Sequence, residues 1–133
     1  MRYSFTPFNA GSGLTVLMPF IPIRLARNSS LFDTEALVDS GAMISVLPFD
    51  AGLRLGLDWN AQPHTLSLGG ALGGTAKIVA LDATIAPYPT VPLLFAWSRS
   101  TQIRLILGQT NFFHEFDVTF HRSQDHFIVE PKP

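Results

Sequence analysis

The chain has 133 residues, a net charge of −1, 47% hydrophobic residues and only 14% charged ones. No basic stripe exists to neutralise phosphates, which argues against nucleic acid as the main ligand. There is no cysteine, which rules out disulfides and thiolate zinc sites and leaves the redox compartment unreadable. The length suits one domain, residues 1–133, with a real core, and the apolar excess points to a surface covered by a partner or lining a substrate groove.

Ten glycines and ten prolines are spread along the chain, and helical periodicity is scarce, so the fold class is mainly all-β. Residues 1–13 read as irregular or as a loosely held edge strand. Leu14 to Ala26 is extended, with its prolines confining part of it to an edge. The run Leu14–Ile23 is too short for a membrane span, and no signal-peptide pattern precedes it. A cytoplasmic placement is the default expectation, and the chain could equally be a domain of a longer protein. Asn28-Ser29-Ser30 fits the glycosylation acceptor pattern, a match too short to weigh.

Arg27 to Ser30 should turn, and Phe32 to Val38 should return as the partner strand. Pro48 opens a helical candidate, Phe49 to Leu55, with Asp50 near its start and Gly56 ending it. Residues 64–68 and 75–85 form strands around the glycine-rich segment 69–74, a hairpin with a mobile tip. Val91 to Trp97 and Gln102 to Leu107 are further strands. Thr110 is placed to cap a short helix through Phe116, with Phe112, Phe113 and Phe116 facing the core. Val118–Phe120 and Phe127–Val129 close the domain as a hairpin.

The stretch that concentrates chemistry is Glu35 to Pro48. An apolar strand ends in Asp39-Ser40-Gly41-Ala42, placing a carboxylate at the tip of a hydrophobic element, which is costly without hydrogen bonds or a nearby proton. Asp-Ser-Gly also suits a plain surface turn. The rival chemistries are poorer. Lys77 does not follow the glycines contiguously, as a phosphate loop requires, and no serine sits in a Gly-x-Ser-x-Gly elbow. His64, His114, His121 and His126 lack metal-ligand spacing and are expected on the surface or in loops.

Three features occur in order: Ala36-Leu37-Val38-Asp39-Ser40-Gly41-Ala42, the glycine hairpin at 69–74, and Leu105-Ile106-Leu107-Gly108 leading into Asn111–Phe116. In this the chain resembles the retropepsin-like aspartic proteases, the class of retroviral proteases and their bacterial and cellular relatives. The resemblance covers about residues 14–130. It implies a closed β-barrel of the acid-protease type, with a flap hairpin and one or two short helices.

By that resemblance Asp39, Ser40 and Gly41 form the catalytic loop. Ala42 and the flap residues Gly69, Gly70, Ala71, Leu72 and Gly73 bind substrate. Val46, Leu68, Leu72 and Ile78 would line apolar subsites, although each also suits a core or flap position. The flap tip is one residue longer than the viral pattern, so Ala71 and Leu72 are not told apart. Viral members carry an Asp–Arg pair where this chain has Met43 and Gln109. Both partners are lost together, which leaves no lone buried charge but puts the viral mode of dimerisation in doubt.

The chemistry needs two carboxylates sharing one proton, and this chain offers one Asp-Ser-Gly turn. A two-fold homodimer that pairs Asp39 with its symmetry mate supplies the second, and the expected substrate is a peptide or protein. The resemblance implies no metal, cofactor or covalent intermediate. Two other functions fit the same residues. One is a catalytically silent domain of this fold that binds peptides or dimerises; the other is a small β-barrel binding module in which Asp39 sits on an exposed turn.

Overall fold

The structure is a computed structural model and describes residues 1–68 and 74–133. Strand accounts for 52% of it and helix for 12%, in keeping with the scarcity of helical periodicity. The strands that matter most are β4 (Phe20–Arg27), β5 (Ser30–Val38), β6 (Val46–Leu47), β8 (Thr75–Thr84), β9 (Val91–Ser98) and β10 (Ile106–Leu107). They run in the order β4-β5-β10-β6-β9-β8, and β8 pairs back onto β4 to close a six-stranded barrel. Closure leaves none of these six strands as a full-length free edge.

Period-two alternation drives this arrangement. Ile21, Ile23 and Leu25 of β4 face inward and meet Val79, Leu81 and Ala83 of β8 and Leu93, Phe95 and Trp97 of β9, all buried. Fully burying each large side chain stabilises the fold by about 1.5–3 kcal/mol. Outward positions such as Arg24 and Asp33 are paired across β4 and β5.

The connection that carries Asp39 has an unusual topology. β5 and β6 are consecutive strands, yet β10 lies between them, parallel to β5 and antiparallel to β6. The loop 39–45 must therefore pass over the end of β10. Strand β7 (Thr65–Ser67) pairs antiparallel with β8, and Leu68 N donates to Gly74 O at 2.8 Å. The two arms of the expected hairpin are thus in place, while Gly69, Gly70, Ala71, Leu72 and Gly73 lie outside the described residues.

Helix α1 (Phe49–Arg54) follows Pro48, one residue shorter than its sequence pattern. It ends because Gly56 takes φ +76° and the amides of Gly56 and Leu57 return to the carbonyls of Leu53 and Gly52. The helix lies on β9 through Trp97, which stacks on Phe49 at 5.5 Å and donates its indole N–H to Phe49 O at 3.1 Å.

Four expectations need correction. Residues 1–13 are mostly strand rather than irregular, and the edge-strand alternative holds for part of them: β1 (Arg2–Ser4) is the edge of a separate sheet with β12 (His126–Pro131) and β11 (Phe116–His121), and β2 (Thr6–Asn9) pairs with β3 (Thr15–Met18). The strand expected over Gln102–Leu107 is reduced to Ile106–Leu107, because Ser98 and Ser100 accept from the amides of Ser100 and Gln102 and hold a turn instead.

Thr110 does not cap α2 (Phe112–Glu115). Asn111 occupies the N-cap position without a side-chain cap, its Oδ1 accepting instead from Leu94 N at 2.8 Å. Finally, His126 is buried on β12, not a surface or loop residue. Its ring stacks on His121 at 4.6 Å and its Nδ1 lies 3.3 Å from the Arg2 guanidinium.

Candidate active site

Asp39 begins where β5 ends. Its amide donates to Leu107 O at 3.0 Å, so the last bond of the β5–β10 ladder fixes the residue itself. The turn then closes on two short bonds. Gly41 N donates to the Asp39 carboxylate at 2.9 Å, and Ala42 N donates to Asp39 O at 3.2 Å. One oxygen of a carboxylate at an apolar strand end is thereby hydrogen-bonded by its own loop, which lowers the cost of holding charge there.

The far side of the loop is laced to the segment after β10. Gln109 N donates to Ala42 O at 2.8 Å, Thr110 N to Met43 O at 2.9 Å, and Ser45 N to Thr110 O at 3.0 Å. The Gln109 side chain donates to Ser40 O at 2.8 Å. Beneath these contacts Ser45, fully buried, accepts from Gly108 N at 3.0 Å. Every bond named here ties residues 39–45 to 107–110, so β10 and its continuation form a scaffold for the loop.

Asp39 is half-buried and opens onto a cleft of about 600 Å³. Loop residues Ala42, Met43 and Ile44, strand residues Val46 and Ile106, Leu66, Ser67 and Leu68 of the β7 arm, and Thr110 line it. Among the described lining residues Asp39 is the one ionisable side chain. The rest of the lining is mainly apolar, with Ser67 and Thr110 its polar members.

The expected residues therefore divide. Asp39, Ser40, Gly41 and Ala42 come together as one turn, with Ser40 and Gly41 exposed to solvent. Val46 and Leu68 line the cleft. Ile78 is half-buried and absent from the lining, although it sits opposite Ala96, as Val46 does, and so shares its face of the sheet. Met43 is 84% exposed, at the rim.

Sequence reasoning did not single out Ser45 or Leu66, named Ile106 only within the Leu105–Gly108 run and not as a cleft residue, and read Gln109 only as a lost arginine. A serine inside the apolar run Met43–Leu47 was the available signal, since a buried hydroxyl must find a partner. Among the described residues no group of three or more His, Asp or Glu is arranged to hold a metal ion. No model of a known protein family matches the chain, and no curated protein matches it. No helix is long and apolar enough to cross a membrane.

Proposed function

We propose that the chain is one subunit of a retropepsin-like aspartic endopeptidase, with Asp39 as its catalytic carboxylate. What carries this reading is the placement of Asp39: a braced turn at the end of a barrel strand holds it half-buried in an apolar cleft, across from a two-stranded arm. A plain surface turn needs neither the cleft nor the lacing to residues 107–110, so the binding-module reading accounts for less of what surrounds Asp39. The strand inserted between β5 and β6 also suits the acid-protease fold.

In this mechanism two Asp39 carboxylates, one from each subunit, share a proton because both cannot comfortably ionise a few ångströms apart. The ionised one takes a proton from water as the water oxygen attacks the peptide carbonyl carbon. The protonated one stabilises the oxyanion and then gives its proton toward the leaving nitrogen. A peptide would lie extended between the loop and the β7–β8 arm, with apolar side chains against Val46, Leu68 and Ile106. The test is cleavage of an apolar peptide library from acid to neutral pH by the wild-type chain and Asp39→Asn. Equal cleavage by both would remove Asp39 from the chemistry. A folded dimer that cleaves nothing at any pH would favour the silent domain.

A further inference from the structure

The edge strand β1 is fastened to β12 by a side-chain contact whose polarity is fixed. A guanidinium only donates. Because an Arg2 nitrogen lies 3.3 Å from His126 Nδ1, that ring nitrogen must accept, and His126 is the neutral tautomer with its proton on Nε2. Arg2 stands opposite Ile128 and Ser4 opposite His126, so Arg2 reaches the imidazole along the diagonal of one sheet face. From the other side His121, the direct partner of His126 on β11, stacks its ring at 4.6 Å. His126 itself is 8% exposed.

No carboxylate balances a positive charge there. Arg2 faces His126 from β1 and His121 faces it from β11. In the turn that joins β11 to β12, Asp125 is taken by Arg122. Asp117 and Glu130 stand opposite each other four residues further along the ladder, roughly 13 Å away. Among the described residues no carboxylate lies within ion-pair distance of Arg2, His121 or His126. The other ties of this segment use neither imidazole nor carboxylate. Phe5 N donates to Asp125 O at 3.2 Å, the Tyr3 hydroxyl to Ala86 O at 3.4 Å, and the Met1 amino group to Val129 O at 2.7 Å.

A proton on Nδ1 turns the acceptor into a donor aimed at a donor, and sets a cationic ring beside a guanidinium. We propose that β1 is an acid-released cover on β12, latched by Arg2 on neutral His126 and let go as pH falls through the imidazole range. The latch holds above that range and is lost below it, the sign that follows when a ring buried neutral must charge. Release leaves one edge of β12 unpaired, and such an edge is competent to pair with another extended segment. It also uncovers Phe127, fully buried and packed against Tyr3 at 5.5 Å and Phe5 at 5.3 Å. None of this depends on the protease reading.

The test is amide hydrogen exchange, followed by NMR on the full chain at about pH 7 and about pH 5, with each amide corrected for its intrinsic rate. The amides of Phe5 and Val129 join residues 1–5 to the β12 side. Their protection should fall at least about tenfold in acid relative to the amides of β4 and β8. Glutamine at position 126 keeps an acceptor that no proton removes, so in His126→Gln the fall should disappear. If that variant does not fold, Arg2→Gln, at an exposed position, takes its place. Its amide can donate to the neutral ring or accept from the charged one, so the fall should again disappear. Equal protection of the wild type at both pH values, a loss shared by the barrel, or a fall that persists in the folded variant overturns the inference.

Discussion

Gly108 passes so close to Ile44 that a Cβ placed on it would lie 2.8 Å from the Ile44 carbonyl, and equally close to Ala42 O. Those neighbours are backbone of the Asp39 loop and cannot rotate away. Gly108→Ala should therefore push the loop off β10 and cost about 1–3 kcal/mol or more. The expected result is a melting temperature lowered by at least about 5 °C, with cleavage lost even at temperatures where the variant is folded. A variant with wild-type stability would mean that the loop is free to shift, and the scaffold role of β10 would be wrong.

Gln109 offers a gentler test of the same scaffold. Its side-chain bond to Ser40 O is at the surface, so Gln109→Ala should cost no more than about 1 kcal/mol of stability. On the proposed mechanism its effect should appear in turnover, because Ser40 sits next to Asp39, the proposed catalytic carboxylate, and small displacements there are expensive. A fall in kcat of roughly tenfold with little change in melting temperature is expected. Unchanged kcat would show that the backbone bonds of Gln109 and Thr110 suffice.

Gly52 tests the packing behind the site. A Cβ on it would fall 2.2 Å from the Trp97 indole, which is fully buried and held by Phe49 and Trp59. Gly52→Ala gains helix propensity but must lift α1 from β9. The steric term wins, and a net loss of about 2–3 kcal/mol in urea unfolding is expected. A gain in stability would mean that α1 can slide on Trp97 at no cost.

The Arg24–Asp33 pair across β4 and β5 sets a pH dependence whose sign is fixed. Hydrogen bonds from the guanidinium, at 2.7 and 2.9 Å, hold the Asp33 carboxyl below its usual range. A depressed folded value means that the contribution is present above the unfolded pKa and is lost as pH falls through the folded one. Both side chains are largely exposed, so the effect should be small and weaken with salt. Thermal melts of wild type and Asp33→Asn should differ slightly near pH 7 at low ionic strength and converge in acid. A difference that grows on acidification would reverse the assignment.

Much of the barrel was legible because its strands bury one face, as Ile21, Ile23 and Leu25 do on β4. The Asp39 turn was legible because Asp-Ser-Gly at the end of an apolar run is a local signal. What the sequence hid is non-local. The pairing of Arg2–Ser4 with residues 126–128 joins segments far apart in the chain, which no periodicity reports. Ser45 looks like any small residue until Gly108 comes to lie against it. Thr110 looked like a cap because the competing claim on its backbone, from Met43 and Ser45, arises only in the folded chain. The glycine-rich tip had a clear sequence signal, and of its two arms the β7 side lines the cleft through Leu66, Ser67 and Leu68.

Mixing subunits separates a shared site from an independent one. If each active centre needs two Asp39 carboxylates, a dimer with one Asp39 and one asparagine lacks either the base or the proton donor. When wild type and Asp39→Asn are unfolded together, refolded at constant total concentration and assayed, only homodimers of the wild type should cleave. An equal mixture should then retain about a quarter of the wild-type activity, since random pairing makes that fraction of two-carboxylate dimers. Independent active monomers would retain about half. Following activity across the whole range of mixing ratios distinguishes a quadratic from a linear loss without knowing the natural substrate. A linear loss would place the complete chemistry in one chain, and Asp39 would then need a different partner from its own twin.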